Sequence, residues 1–143
     1  MRDVLFTAKR TDDGVWVEGL ITHEIDGTLS SMEVFGGWGN CTFYKVDPKT
    51  VSEYAGLYDK RKKRIFEGDV VTANIYNRYN GWIENSLGKL IIEYRGVVVF
   101  KNGAFGIQTE RGEFAPFASF CNTEFEIIGN RFDNPELVGW YNE

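Results

Sequence analysis

Few residues in this chain are of a type and spacing that could do covalent chemistry. It holds one histidine, His23, and a serine or cysteine nucleophile ordinarily needs such a base beside it. His23 follows an extended stretch and precedes Glu24, where a lone histidine is expected at the surface and not in a triad. Cys41 and Cys121 are far apart in sequence and belong to no CxxC pair, so they suggest neither a metal set nor a disulfide framework. Each is expected to pack as a small hydrophobe. The chain carries 21 acidic residues. Pairs close enough for acid–base work on a glycosidic bond will therefore arise by chance. Asp69, in Glu67-Gly68-Asp69, is expected to accept from nearby backbone N–H groups, as turn aspartates do. Gly36-Gly37-Trp38-Gly39 lacks the lysine and the strand-to-helix setting of a phosphate loop. These residues point away from an enzyme and imply no cofactor and no metal.

Binding chemistry is better represented. Lys60, Arg61, Lys62, Lys63 and Arg64 place five of the 16 cations in consecutive positions. Such a cluster could grip phosphate or an acidic partner; it could equally be a solvated turn with Asp59 and Glu67 as counterions, and the solvated turn is the reading taken here. Further on, Tyr76, Arg78, Tyr79 and Trp82 interleave rings with a cation, the composition on which bases can stack. The formal net charge of −5 opposes that use, since phosphate neutralisation drives most non-specific binding to nucleic acid. Aromatic residues are also enriched where proteins meet. The sequence therefore favours protein contact, either with a partner or as a homo-oligomer. A nucleic-acid-binding module using the basic turn 60–64 and the aromatic loop 76–83 is the alternative.

The elements that would carry these residues are short and extended. The chain has 143 residues, 43% of them apolar and 15% aromatic, with 16 glycines and three prolines. That suits one compact domain, or two very small ones, built of strands joined by tight turns. No apolar run is long enough to span a bilayer. The start of the chain lacks the apolar stretch of a secretory signal, so a cytoplasmic setting is expected. Val4, Phe6 and Ala8 alternate with polar positions, Asp12-Asp13-Gly14 marks a turn, and Val15, Val17 and Ile21 follow on one face, which together predict a hairpin. Asp26-Gly27 marks another turn, and residues 36–40 form a glycine-rich loop. Pro48 is the expected boundary between an N-terminal β-rich portion, residues 1–48, and a second unit, residues 49–143.

In that second unit Val71, Ala73 and Ile75 share a face, and residues 77–89 make a long excursion between strands. Asn102-Gly103 predicts a two-residue type I′ hairpin. Pairing Lys101 with Ala104 then sets Phe100 opposite Phe105 and Val98 opposite Ile107, which gathers the bulky side chains on one face. Gly96 is expected to mark a bulge or a sharp coil in this run. Pro116 allows an edge strand or a short helical turn. A last strand runs through Phe125 and Ile127. Asn134-Pro135 resembles an N-cap followed by proline in the first turn of a short helix ending near Tyr141.

Four co-linear segments resemble the YopX-like proteins of phages and prophages. Gly56-Leu57-Tyr58-Asp59 with Arg64-Ile65-Phe66-Glu67-Gly68-Asp69-Val70-Val71 is similar to that family's "GLxDxxGxxIyEGDIV" signature. The segment from Gly96 to Phe105 is similar to its "GxVxFxDGxF" hairpin, and that from Ile127 to Leu137 to its "eViGNiyeNPELL" ending. Ala8-Lys9-Arg10 and Asp13 to Gly19 resemble a "GKRxDNGEWVxGY" variant. The resemblance implies a small antiparallel SH3-like barrel in the C-terminal part, with the N-terminal β-rich portion packed on it. It implies a phage or prophage accessory protein of unestablished biochemical role and transfers no catalytic residue. The glycine usual after Asp59 is replaced within Lys60-Arg61-Lys62-Lys63, so a longer or differently looped hairpin tip is expected there.

Overall fold

The computed structural model of the chain describes residues 4–23, 29–35, 39, 41–76 and 90–141. The turn at Asp26-Gly27, the loop around Trp38 and the excursion 77–89 lie outside the described residues. Those described are mainly β, with short 3-10 turns and no α-helix among them. The chain divides into two compact units, Met1–Gly56 and Leu57–Glu143.

In the first unit the strands are β1 (Phe6–Lys9), β2 (Trp16–His23), β3 (Leu29–Phe35), β4 (Cys41–Lys45) and β5 (Ser52–Tyr58). They lie in the order β4-β3-β2-β1-β5, and the pairings are antiparallel. The predicted hairpin is present, with Ala8 opposite Val17. Its turn is tied by Asp13 Oδ1, which accepts from Val15 N at 3.0 Å. Alternation sends Ala8 and Met32 to one face, where they pack with Val46 beneath Phe6, Val17, Ile21 and Val34. At the far end of β4 the sheet curls: Val46 bridges to Arg10, and Asp47 N donates to Lys9 O at 2.9 Å. Pro48 lies inside this unit, at the start of the 3-10 turn Pro48–Thr50. Thr50 Oγ1 accepts from Lys9 N at 2.9 Å. That bond delivers the chain back to β1, so β5 begins with Ser52 opposite Thr7. The unit consequently runs on to Gly56.

The second unit contains the end of β5, then β6 (Arg64–Phe66), β7 (Asp69–Tyr76), β8 (Leu90–Lys101), β9 (Ala104–Thr109), β10 (Phe114–Pro116) and β11 (Thr123–Asn130). Five of them form a sheet in the order β10-β9-β8-β7-β11. The Asn-Gly hairpin has the predicted register, with Lys101 opposite Ala104, Phe100 opposite Phe105 and Val98 opposite Ile107. Asn102 and Gly103 have φ of 54° and 81°, as a type I′ turn demands. Gly96 keeps its place in both ladders, opposite Val71 and Thr109, so the expected bulge is absent. Close packing explains the glycine instead: a Cβ there would come within 2.3 Å of Gln108 O.

The expected barrel does not close. Among the described residues no hydrogen bonds join β10 to β11, and the sheet is open. Strand β10 has three residues and ends at Pro116, which has no N–H to extend a ladder. The 3-10 turn Phe117–Ser119 follows it, and the Phe117 ring meets Phe125 edge-on at 5.1 Å. Aromatic packing thus spans the opening. On one face Val71, Ala73, Val98 and Ile107 are fully buried, each worth about 1.5–3 kcal/mol for the larger side chains. The opposite face is covered as well, because Val138, Leu137 and Trp140 from the C-terminal segment pack on Val70, Val97 and Val99. Burial on both faces explains why β8 carries valine at consecutive positions instead of alternating. The C-terminal turn is the 3-10 segment Pro135–Val138, and Asn134 at its N-cap makes no side-chain capping bond.

Candidate functional site

The basic turn joins β5 to β6, and its geometry is set by an acid. Asp59 is 5% exposed. Its Oδ1 accepts from Arg61 N and from Lys63 N, each at 2.9 Å, and its Oδ2 accepts from Ile127 N at 3.3 Å. Burial pushes the Asp59 carboxyl upward, but the N–H donors of Lys63, Ile127 and Arg61, with the Arg61 charge, outweigh it and hold the carboxyl below its ordinary value. The turn is further closed by Asp59 N to Lys63 O at 2.8 Å and Lys62 N to Asp59 O at 3.0 Å. Lys62 adopts φ of 64°, the left-handed conformation that glycine takes without strain. A lysine thus holds that conformation at the tip of this turn.

Two of the five cations are turned back on the protein. Lys60 N donates to Phe125 O at 2.7 Å, and Lys60 Nζ pairs with Glu126 Oε2 at 3.1 Å. The hydrogen bond to Glu126, then its charge, raises the Lys60 ammonium above its ordinary value, with lesser help from Glu124 and Tyr76. Arg61 donates to Ile127 O at 2.9 Å and lies 4.0 Å from Glu126. Lys62, Lys63 and Arg64 are exposed, and the Arg64 guanidinium stands over the Tyr58 ring at 6.0 Å.

Tyr76 ends β7, and its hydroxyl reaches Glu124 Oε2 at 3.5 Å. The structure thus gathers Lys60, Arg61 and Tyr76 around the Glu124 and Glu126 side of β11. Arg78, Tyr79 and Trp82 lie outside the described residues. Glu124 and Glu126 went unassigned as partners in sequence, although their alternation with Phe125 and Ile127 places them on the polar face of β11. The register then sets Glu126 opposite Thr72. Glu126 is the carboxylate paired with Lys60.

The other acids and amides singled out by sequence are also engaged in shaping turns. Asp69 Oδ2 accepts from Phe66 N at 2.8 Å, the backbone role expected of it. Gly68 donates to Val98 O at 2.8 Å and accepts from Arg131 N at 2.9 Å. Asn130 Oδ1 accepts from Phe132 N and Asp133 N at 3.0 and 2.9 Å. Asn134 Oδ1 accepts from Asn130 N at 3.2 Å, and a Cβ at Gly129 would crowd that oxygen at 2.6 Å. His23 is the last residue of β2. Cys41 and Cys121 are free thiols, both exposed, so neither packs as a buried hydrophobe. Partial burial, then Glu33, raises the Cys41 thiol above its ordinary value. Among the described residues no group of three His, Cys, Asp or Glu side chains is placed to hold a metal ion. No helix there is long and apolar enough to cross a membrane.

A two-unit antiparallel β protein, with an aspartate-organised basic turn and an asparagine-organised turn after its last strand, is the class these observations define. Comparison with known families agrees: the YopX protein family model matches residues 9–139, and the chain belongs to that family. Among solved structures, it is similar to the crystal structure of protein EF1440 from Enterococcus faecalis. That match has 17% identity and a TM-score of 0.54, and covers 96% of this chain and 99% of the other. At that identity the likeness speaks for the fold. No curated protein matches the chain.

Proposed function

We propose that this chain is a non-catalytic protein-binding β module, a phage or prophage accessory protein that assembles with a second copy of itself through β4. The observation that carries this reading is the outer face of the first unit's sheet. Leu20, Glu33 and Phe43 stand directly opposite one another across β2, β3 and β4. Phe43 is 60% exposed and Leu20 38%. Residues 41–44 of β4 have β3 as their one neighbouring strand among the described residues. An exposed edge with an aromatic on its open face is a ready template for another strand. A non-catalytic role draws support from the acids: Asp59 and Asp69 use their oxygens to hold backbone N–H groups and are not left poised for chemistry. The nucleic-acid alternative has weaker support, because Lys60 and Arg61 already face Glu126. Sedimentation velocity over a concentration series tests the assembly. The wild-type protein is expected to shift to a dimer as concentration rises, while Phe43→Lys stays monomeric. A wild-type protein that remains monomeric throughout, or a Phe43→Lys variant that still dimerises, defeats the proposal.

A further inference from the structure

The second unit holds a concavity of about 410 Å³ beneath β10 and the turn that follows it, within the size range of small-ligand sites. Ile107, fully buried, contributes to its lining. Tyr94 and Phe120 line it as rings 6.3 Å apart at 72°, which makes an aromatic corner. Ile75 and Cys121 also line the hollow, while the Phe114 ring packs on Val97 and Val99 at the other face of the sheet. Glu113 is the charged residue on the wall among the described residues. Its backbone is fixed by the β9–β10 turn, where Thr109 N and Thr109 Oγ1 both donate to Glu113 O, at 2.9 and 3.4 Å.

Rings attract a cation to their faces, and a carboxylate beside them adds attraction of the same sign. An anion would meet repulsion from Glu113, and a neutral apolar body would gain from the rings alone. We infer that this hollow is a binding site for a small organic cation, a protonated or quaternary amine carrying an apolar body, with the ammonium beside Tyr94, Phe120 and Glu113 and the body against Ile107 and Ile75. This site is independent of the β4 edge, so it stands or falls apart from the assembly proposed above.

The test uses the whole chain and benzyltrimethylammonium as the probe, with benzyl alcohol and benzenesulfonate as neutral and anionic counterparts. Binding is read from amide shifts in NMR titration. A second readout is the rate of iodoacetamide alkylation at the two cysteines, each compared with itself without probe. The ammonium probe is expected to give saturable shifts around Tyr94 and Phe120 and to slow alkylation of Cys121 while leaving Cys41, in the other unit, unchanged. Benzyl alcohol should bind about tenfold more weakly, the loss of one cation–ring and one exposed charge contact. Glu113→Gln, a substitution at an exposed position, should weaken the ammonium probe about threefold and leave benzyl alcohol unaffected. The inference is overturned by any of three results: no saturable shift at millimolar probe, equal affinity for the three probes, or equal protection of both cysteines.

Discussion

Two turns of the second unit do the same work with different chemistry. At 59–63 a buried carboxylate gathers the N–H groups of Arg61, Lys63 and Ile127. At 130–134 two neutral amides gather those of Phe132, Asp133 and Asn130. The asparagine turn is local, each bond spanning four residues or fewer. The aspartate turn also reaches a strand 68 positions away. A carboxylate is all acceptor, so both its oxygens can take donors without presenting an N–H to Ile127, whereas an amide offers one accepting oxygen and one donating nitrogen. The turn that carries five cations also gains from one buried negative charge beside Arg61. The difference teaches that the acid serves two tasks at once, closing the basic tip and fastening it to β11.

Removing the acid therefore has the largest expected effect. Asp59→Ala strands three N–H donors in a part-buried setting, where each costs about 1–3 kcal/mol before water repays some of it. A loss of about 3 kcal/mol is expected in urea denaturation. Asn130→Ala, which frees two local donors nearer solvent, is expected to cost about half as much. Equal losses in the two variants would erase the distinction between the turns. Asp59→Asn sharpens it: the retained oxygen can serve Arg61 and Lys63, but the new NH₂ faces Ile127 N, so an intermediate loss is expected.

Much of the second unit is legible in its sequence. The Asn-Gly hairpin, its register and the Asp69 backbone role follow from local rules, because turn residues and period-two alternation act over a few positions. The engagement of Lys60 and Arg61 by Glu126 was not legible, since it depends on β11 lying next to β7, a pairing of segments some 50 residues apart. The same holds for the open sheet and for Val97 and Val99, whose burial comes from the C-terminal segment folding over a face that alternation alone assigns to solvent. Gly96 was placed correctly as unusual but for the wrong reason, because a sequence shows a missing side chain without showing which neighbour occupies its space. Exposure of Phe43 was likewise hidden: an apolar residue on a strand gives no sign of whether anything covers it.

Acid should separate the two turns next. The folded Asp59 carboxyl lies below the ordinary value of 3.8 expected when the chain unfolds. Its contribution to stability is thus complete above that value and is lost as pH falls through the lower folded one. In the amide turn the backbone N–H groups are held by uncharged oxygens, and the carboxylate there, Asp133, accepts from the Asn130 side-chain amide at 3.2 Å. Urea midpoints measured from pH 7 downward should fall more steeply below about pH 4 for wild-type protein than for Asp59→Asn, while Asn130→Ala keeps the wild-type slope. Other carboxylates titrate in the same window, and comparing variants cancels their share. Parallel curves for wild type and Asp59→Asn would show that the charge of Asp59 adds nothing beyond its geometry.

The smallest effect has the opposite sign. Lys62 holds a left-handed conformation at the tip of the aspartate turn, a position that costs an L-residue roughly 1 kcal/mol relative to glycine. Lys62→Gly removes that strain, although glycine's greater freedom in the unfolded chain offsets part of the gain. A net stabilisation of about 0.5 kcal/mol is expected, with the Asp59 bonds to Arg61 N and Lys63 N intact and their amide protons as slow to exchange as before. The lysine would then be a concession in stability made for an exposed charge, which fits a tip whose Lys62, Lys63 and Arg64 face outward. Salt-dependent binding of single-stranded nucleic acid, measured on the same variant, reads what that charge does: an acidic-partner or solvation role predicts no binding to lose. If Lys62→Gly instead destabilises the protein, the strain argument fails, and the side chain must be making a contact that holds the turn.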